Sequence, residues 1–419
     1  MSSKVDSYRP RLVDPLLSDA VAAFAAVMVV GARATGKTTT AARLATQIDR
    51  LDVPDVAATY RADPDAALRR AGRPLLLDEW QEVPEVLAAV KRSVDRDRTP
   101  GQFILTGSIR ATTELSTWAG TGRVVRIGMH PLTEREIAGD VAGDDLVTRL
   151  SDRWLDAIPT QLPTLDIDGY LRLALRGSFP ELAFTERTAR QRRLWFDSYL
   201  EDLVTRDVES IGTARDPIRL RRYVTTLALN LAGQPTDASL FRDADINAKT
   251  ASAYDRALTN LAVLDIVPAW TSNRLKRLTK AGKRYLVDAA LAAAAADVGE
   301  NEIIHDGDLR GRWFDAFAAM QLRAELTVAS PRRGLHHLRV EGGRHEVDLV
   351  VDLGRGRLFG IEVKAGAAPT REDARHLIWL RDELGKNFAG GVVLHSGQAV
   401  VELDDRIAAV PLSVAWNSS

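Results

Sequence analysis

A chain of 419 residues, 45% hydrophobic and 27% charged, exceeds one ordinary core and holds enough apolar material for two to four domains. Its 56 Lys and Arg nearly cancel 57 Asp and Glu, so no whole-molecule field draws it to nucleic acid, and any such site must be a local patch. The absence of cysteine excludes disulfides, thiolate zinc sites and thiol catalysis. The longest early apolar run, Ala20 to Val30, is too short to span a bilayer, and the first residues lack a signal-peptide pattern; a cytoplasmic protein with no membrane partner is expected.

Taken in order, Met1 to Asp19 is a polar lead whose Arg9-Pro10-Arg11 is expected to be solvated, with contact to nucleotide as the alternative. Val27 to Val30 then reads as a strand feeding Gly31-Ala32-Arg33-Ala34-Thr35-Gly36-Lys37-Thr38-Thr39, and Thr39 to Ile48 as a helix. Strand, G-x-x-x-x-G-K-[ST] loop and helix make the order of a phosphate-binding P-loop, which sets it apart from a chance Gly-rich turn. The glycines let backbone N–H groups point inward at an anion, and the helix N-terminus adds to that field. Residues Gly31 to Thr39 are therefore the expected ATP-binding set, with Lys37 on the β- and γ-phosphates and the Thr38 hydroxyl on Mg²⁺.

Asp55 to Tyr60 reads as a short strand and Asp63 to Ala71 as a helix. Leu75-Leu76-Leu77-Asp78-Glu79 is a buried strand ending in two acids, a Walker B pattern one βα unit after the P-loop. Asp78 would hold the Mg²⁺ shell, and Glu79 would orient or deprotonate the attacking water. Gln102 to Ser108 is the next strand; Thr106 or Ser108 could sense the γ-phosphate, and ordinary turn chemistry explains Thr-Gly-Ser equally well. Arg110, Arg123 and Arg126 follow, and Arg123 is the preferred arginine finger, acting in cis or from a neighbouring subunit of a homo-oligomer.

Several of these strings together resemble a bacterial and archaeal group of AAA+ ATPases related to the STAND type. They are the P-loop Gly-x-Arg-x-x-Gly-Lys-Thr-Thr, Leu77-Asp78-Glu79-Trp80-Gln81-Glu82-Val83-Pro84, Leu-Thr-Gly-Ser, Gly122-Arg123 and Pro131-Leu132-Thr133-Glu134-Arg135-Glu136. The resemblance covers nearly the whole chain. It implies an α/β fold class, with an AAA+-like P-loop domain, a helical and winged-helix middle, and a C-terminal restriction-endonuclease-like domain. Neither nucleotide chemistry nor packing alone demands the Gln and Pro of Asp-Glu-x-Gln-x-x-Pro. The expected boundaries are 1–140 for the ATPase domain, 141–212 for a linker and helical region, 213–298 for a winged-helix-like domain and 299–419 for the nuclease-like domain.

From Gly139 to Asp168 the pattern weakens to a linker with one helix around Leu146 to Ile158. Leu175 to Glu181 resembles the Gly-x-Pro element of STAND ATPases, which implies Pro180 near the adenine and Arg176 near the phosphates. A helix C-cap at Gly177 followed by a proline stop explains the same residues. Thr188 to Thr205 is a helix whose Leu194, Trp195, Tyr199, Leu200 and Leu203 read as core. Helices at Leu220 to Leu231 and Ala248 to Leu264, then a strand from Ile266, follow a winged-helix order. Arg274, Lys276, Arg277, Lys280, Lys283 and Arg284 have no acid among them and could track DNA phosphates, although a scaffold module is the favoured reading. Ala289 to Ala296 is a strong helix former.

In the final third, an amphipathic helix from Gly311 to Leu326 precedes strands at Leu338–Val340, Glu346–Val351 and Leu358–Lys364, then a helix from Arg371 and a strand at Gly391–His395. Strand alternation puts Glu362 and Lys364 on one face. With Asp348 they resemble the PD-(D/E)XK nuclease core, which implies Asp348 and Glu362 as Mg²⁺ ligands and Lys364 positioning water; Asp315 stands where that family usually has Glu. The combined expectation is a Mg²⁺-dependent ATPase coupled to a nuclease-like domain. The alternatives are a nucleotide switch or scaffold for a protein partner, and an ATP-gated DNA nuclease.

Overall fold

The computed structural model describes residues 8–108, 121–152, 165–208, 216–233, 235–271, 281–340 and 343–417. Five short strands form a parallel sheet: β1 Ala26–Val30, β2 Gln47–Arg50, β3 Leu75–Asp78, β4 Phe103–Gly107 and β5 Val125–Gly128, in the order β2-β3-β4-β1-β5. β1, β3 and β4 are buried along their whole length, so they read as continuous apolar runs, as parallel strands covered on both faces must. Register pairs Val29 and Asp78 with Thr106 from either side. The carboxyl ends of three adjacent strands thus bring the P-loop, the Asp78-Glu79 pair and Ser108 to one edge.

Two local expectations are corrected here. The helix after the P-loop is Lys37–Ala42, not Thr39 to Ile48, because Gln47–Arg50 pairs with β3 as the edge strand. The segment read as a strand at Asp55 to Tyr60 is the helix Pro54–Ala62, begun by Pro54 in its first turn and burying Ala57 and Tyr60 three residues apart.

The middle region is helical: Leu146–Asp152, Ile167–Arg176, Pro180–Ala183, Ala189–Asp202 running into a π-turn at Leu203–Asp207, Pro217–Leu229, Asp237–Asp243 and Ala248–Asn260. The remainder of the helix expected up to Ile158 lies outside the described residues. A hairpin follows, β6 Leu264–Val267 against β7 Lys283–Leu286, and then the wholly buried helix Ala289–Ala296. Of the basic run, Arg274, Lys276, Arg277 and Lys280 lie outside the described residues. The other two are not solvated wing cations: Lys283 is buried, and Arg284 pairs with Asp237 and Asp255, each at 2.9 Å.

The 22-residue helix Gly307–Val328 leads to a six-stranded mixed sheet of β8 Gly334–Val340, β9 His345–Asp352, β10 Leu358–Lys364, β11 Phe388–His395, β12 Val401–Asp404 and β13 Ile407–Pro411. The order is β12-β13-β11-β10-β9-β8, with β10, β11 and β13 parallel. Helix Arg375–Leu384 covers one face through Leu377 and Leu380. The opposite face, with Leu349, Phe359, Ile361 and Val392, joins a continuous apolar core with Phe314, Phe317, Tyr170 and the alanine helix. Among the described residues, no helix is long and apolar enough to cross a membrane.

Candidate functional site

The P-loop leaves β1 at Gly31, where a Cβ would overlap the Met129 carbonyl oxygen just after β5. That close approach explains the first glycine, whereas Gly36 serves its φ of 92°. Ala34 also takes a left-handed conformation, φ 60°, and Thr35 Oγ1 donates to the Ala32 carbonyl at 2.9 Å. Arg11, expected to be solvated, is instead buried behind the loop. It donates to the Thr35 carbonyl at 2.8 Å, the His130 carbonyl at 2.7 Å and Glu136 at 2.9 Å. Arg9 keeps the exposed place expected of it.

Lys37 is buried and donates to the Ala32 carbonyl at 2.8 Å, a neutral acceptor. Burial depresses its pKa to about 8, partly opposed by Glu79. Thr38 and Thr106 both donate to Asp78 Oδ1, at 2.8 and 2.6 Å. Thr106 is therefore fixed on the Walker B acid, while Thr39 is exposed on the first turn of the helix. The Thr38 hydroxyl and the Asp78 carboxylate stand together as hard oxygen donors beside Lys37, the donor set Mg²⁺ prefers.

Glu79 sits in a left-handed conformation, φ 52°, and its carboxylate accepts from Gln81 Nε2. Gln81 and Trp80 in turn rest on Gly107, where a Cβ would stand 2.5 Å from Gln81 Oε1 and 2.7 Å from Trp80 Nε1. So packing and site geometry together account for the Gln of Asp-Glu-x-Gln-x-x-Pro. Glu79 also faces a cavity of about 430 Å³ shared with Arg33, Ala34, Trp195, Tyr199 and Asp207. Trp195 and Tyr199 thus line this cavity as well as packing, and they stack on each other with ring centroids 5.3 Å apart. Arg33 pairs across that cavity with Asp207 of the π-turn at 3.1 Å, and burial pushes the Asp207 carboxyl up, with Arg33 opposing.

The other expected residues divide. Pro180 packs beside the P-loop: its Cγ would lie 3.6 Å from a Cβ on Gly36. Gly177 also caps the helix Ile167–Arg176, and Pro180 opens the next short helix. Arg176 turns to Glu134 instead. Arg123 is bound to Asp95 at 2.8 Å on the outer helix Val86–Arg96, and Arg110 lies outside the described residues.

The second cluster forms where helix Gly307–Val328 meets the C-terminal sheet. Asp315, Asp348, Glu362 and Lys364 do converge, but so does Lys283 from β7. Its Nζ is 3.2 Å from Asp348 Oδ1 and 3.6 Å from Asp315 Oδ2. Lys364 bonds Glu362 at 2.8 Å, confirming their shared face. Burial pushes the Asp315 carboxyl up to about 6 against the pull of Lys283, and drives Glu362 well above the ordinary carboxylate range. Among the described residues, no three His, Cys, Asp or Glu side chains form a group that could hold a metal ion. Of the expected Asp315, Asp348 and Glu362 ligand set, Asp315 and Asp348 share the Lys283 ammonium between them, while Glu362 borders Asp348 directly.

Residues 23–138 match the family model of an AAA domain. The N-terminal region is a P-loop domain of the AAA type. Residues 167–302 and 310–415 match two domains of unknown function, DUF8612 and DUF4143. The chain is 26% identical over 389 residues to the uncharacterized proteins Mb2031c of Mycobacterium bovis and Rv2008c of Mycobacterium tuberculosis, covering 92% of this chain and 79% of each relative. Among solved structures, the Walker-type ATPase paby2304 of Pyrococcus abyssi aligns over 70% of this chain and 97% of its own, with 13% identity and a TM-score of 0.42. Protein VC1899 from Vibrio cholerae aligns over 93% and 95%, with 12% identity and a TM-score of 0.20. Both structural likenesses are too distant to carry the fold.

Proposed function

We propose that the chain binds Mg²⁺-ATP at the P-loop, hydrolyses it, and passes the nucleotide state to its C-terminal domain. The observation that carries this reading is the convergence of the Thr38 and Thr106 hydroxyls on one oxygen of Asp78, beside a buried Lys37 whose ammonium donates to a backbone carbonyl. The loop N–H groups and Lys37 bind the phosphates. Thr38 and Asp78 hold Mg²⁺, which supplies positive charge against the phosphate oxygens. Thr106 fixes the Asp78 carboxylate. Glu79 orients the water and accepts its proton as the water oxygen adds to the γ-phosphorus and the bridging oxygen leaves with ADP. Gln81 is a positioning residue that holds Glu79 in line. Arg123, tied to Asp95 at the surface, suits a finger offered to a neighbouring copy better than one turned on its own site.

The coupling reading rests on a continuous set of bonds. Arg11 joins the P-loop to His130 and Glu136. His130 meets Thr327 at 2.9 Å, Gln321 accepts the Glu134 N–H at 2.8 Å, and Arg135 pairs with Glu325 at 3.2 Å with both side chains buried. Thr327, Gln321 and Glu325 all lie on helix Gly307–Val328, which also carries Asp315. One helix thus touches the nucleotide domain near its C-terminal end and the second cluster near its middle.

Phosphate release from Mg²⁺-ATP by the purified chain tests the proposal. Turnover is expected and should be lost in Asp78→Asn. Tight ATP binding with no release from the unaltered chain would point instead to a nucleotide switch.

A further inference from the structure

Every carboxylate oxygen of the second cluster but one is already engaged. β7 contributes Lys283 and Tyr285, the long helix Asp315, β9 Asp348, and β10 Glu362 with Lys364. The Lys283 side chain is 1% exposed, so its ammonium has left water altogether. It faces Asp348 at 3.2 Å and Asp315 at 3.6 Å. Tyr285, on the same face of the strand, donates to Asp315 Oδ1 at 3.2 Å. The second Asp348 oxygen accepts the Val363 N–H at 3.1 Å. Lys364 donates to Glu362 Oε2 at 2.8 Å, and among the described residues Glu362 Oε1 is buried without a hydrogen-bond partner.

A divalent cation on Asp348 would have to use an oxygen already bonded to Lys283 or to the Val363 N–H, at about 2.0–2.6 Å for Mg²⁺ or Ca²⁺. It would then share a desolvated space with a charged nitrogen that is already hydrogen-bonding distance from Asp348. The ammonium and the metal are mutually exclusive there. The lysine comes from the β6–β7 hairpin of the middle region, 65 residues from Asp348 in sequence. It is not part of the nuclease-like strand pattern at all.

We propose that Lys283 is the resident cation of this cluster, an intramolecular ammonium standing in place of a divalent metal. The pocket is then an electrostatic joint that locks the β6–β7 hairpin to the C-terminal sheet, and the domain does not cleave phosphodiesters there. Separating the hairpin from the sheet and the long helix would take the ammonium away from both Asp348 and Asp315, so the three move as one body. The backbone link of Pro268 and Trp270 to His337 on β8, at 3.0 and 2.6 Å, ties the same two elements alongside. The inference concerns the C-terminal cluster alone and stands or falls apart from ATP turnover.

Two measurements on the full chain test it. In nucleotide-free protein, Mn²⁺ uptake followed by electron paramagnetic resonance should be the same in the unaltered chain, Asp348→Asn and Glu362→Gln. A Mn²⁺ site present in the unaltered chain and lost in either variant would overturn the proposal. Lys283→Met should lower the melting temperature or the yield of folded protein, and Lys283→Met combined with Asp315→Asn and Asp348→Asn should restore it by removing the unpaired acids. A triple variant that melts no higher, or folds no better, than the single one would contradict the joint.

Discussion

Each of the two polar clusters is built round a buried lysine, and the two lysines are held in opposite ways. Lys37 leans on a backbone carbonyl, and burial drops its pKa to about 8. Burial acts on Lys283 in the same direction, but Asp315 and Asp348 more than offset it and hold the pKa well above the ordinary lysine value. The first ammonium donates to a neutral carbonyl, with Glu79 and Asp78 acting on it only through their charge, and under the proposed function its anion is the bound phosphate. The second already has its anions. A lysine near acids is therefore no guide to chemistry until its partners are known; what separates a binding site from a joint is whether the charge is satisfied in the free protein.

That contrast can be broken most directly by removing each ammonium in turn. Lys283→Met strands two buried carboxylates and should cost about 3–5 kcal/mol of stability in urea melts. Lys37→Met should leave the stability of the nucleotide-free protein within about 1 kcal/mol, because it removes a desolvated charge held by a neutral acceptor. The same change should weaken ATP binding by roughly a hundredfold, about 2.7 kcal/mol, measured by fluorescent nucleotide titration. Equal destabilisation by the two substitutions would erase the distinction.

A smaller effect belongs to Gln81. Gln81→Ala should lower kcat about tenfold with little change in KM, as expected for a residue that positions a group acting only in the transition state. A change in KM alone would mean that Gln81 serves nucleotide binding instead.

The smallest effect is in pH. With a pKa of about 8, Lys37 loses its proton as pH rises through that value, and ATP affinity should fall about threefold between pH 7.5 and 8.5. Stability carries the opposite sign: an unfolded lysine keeps its proton up to its ordinary pKa of 10.5. Between about 8 and 10.5 the unfolded chain thus binds more protons, and this group's contribution to folding stability rises with pH. ATP titrations across that range check the first sign and urea melts the second.

What the sequence shows of this molecule depends on how local each feature is. The P-loop and Walker B strand are contiguous, and Lys37, Thr38, Asp78 and Glu79 stand together where their motifs put them. The glycine at 31 was legible but not its reason, which is the Met129 carbonyl on a neighbouring strand. Short segments without strong periodicity were misread, as at Gln47–Arg50 and Pro54–Ala62, because pairing with β3 and a first-turn proline decided them. Arg11 is 125 residues from Glu136, and Lys283 is 65 from Asp348; neither contact leaves a trace in local pattern. Lys283 in particular sits in a basic run that reads as a wing able to track phosphates or as part of a scaffold module, and only its alternation with Tyr285 on β7 hints at an inward face. The Gln81 spacing was visible, but its purpose needed the floor at Gly107.

The central claim is that Glu79 handles the attacking water of a hydrolytic site. Single-turnover phosphate release by Glu79→Gln, compared with the unaltered chain at saturating Mg²⁺-ATP, tests it most directly. ATP binding should be preserved and phosphate release slowed by about 10²-fold or more; release at the unaltered rate would contradict the assigned role of Glu79.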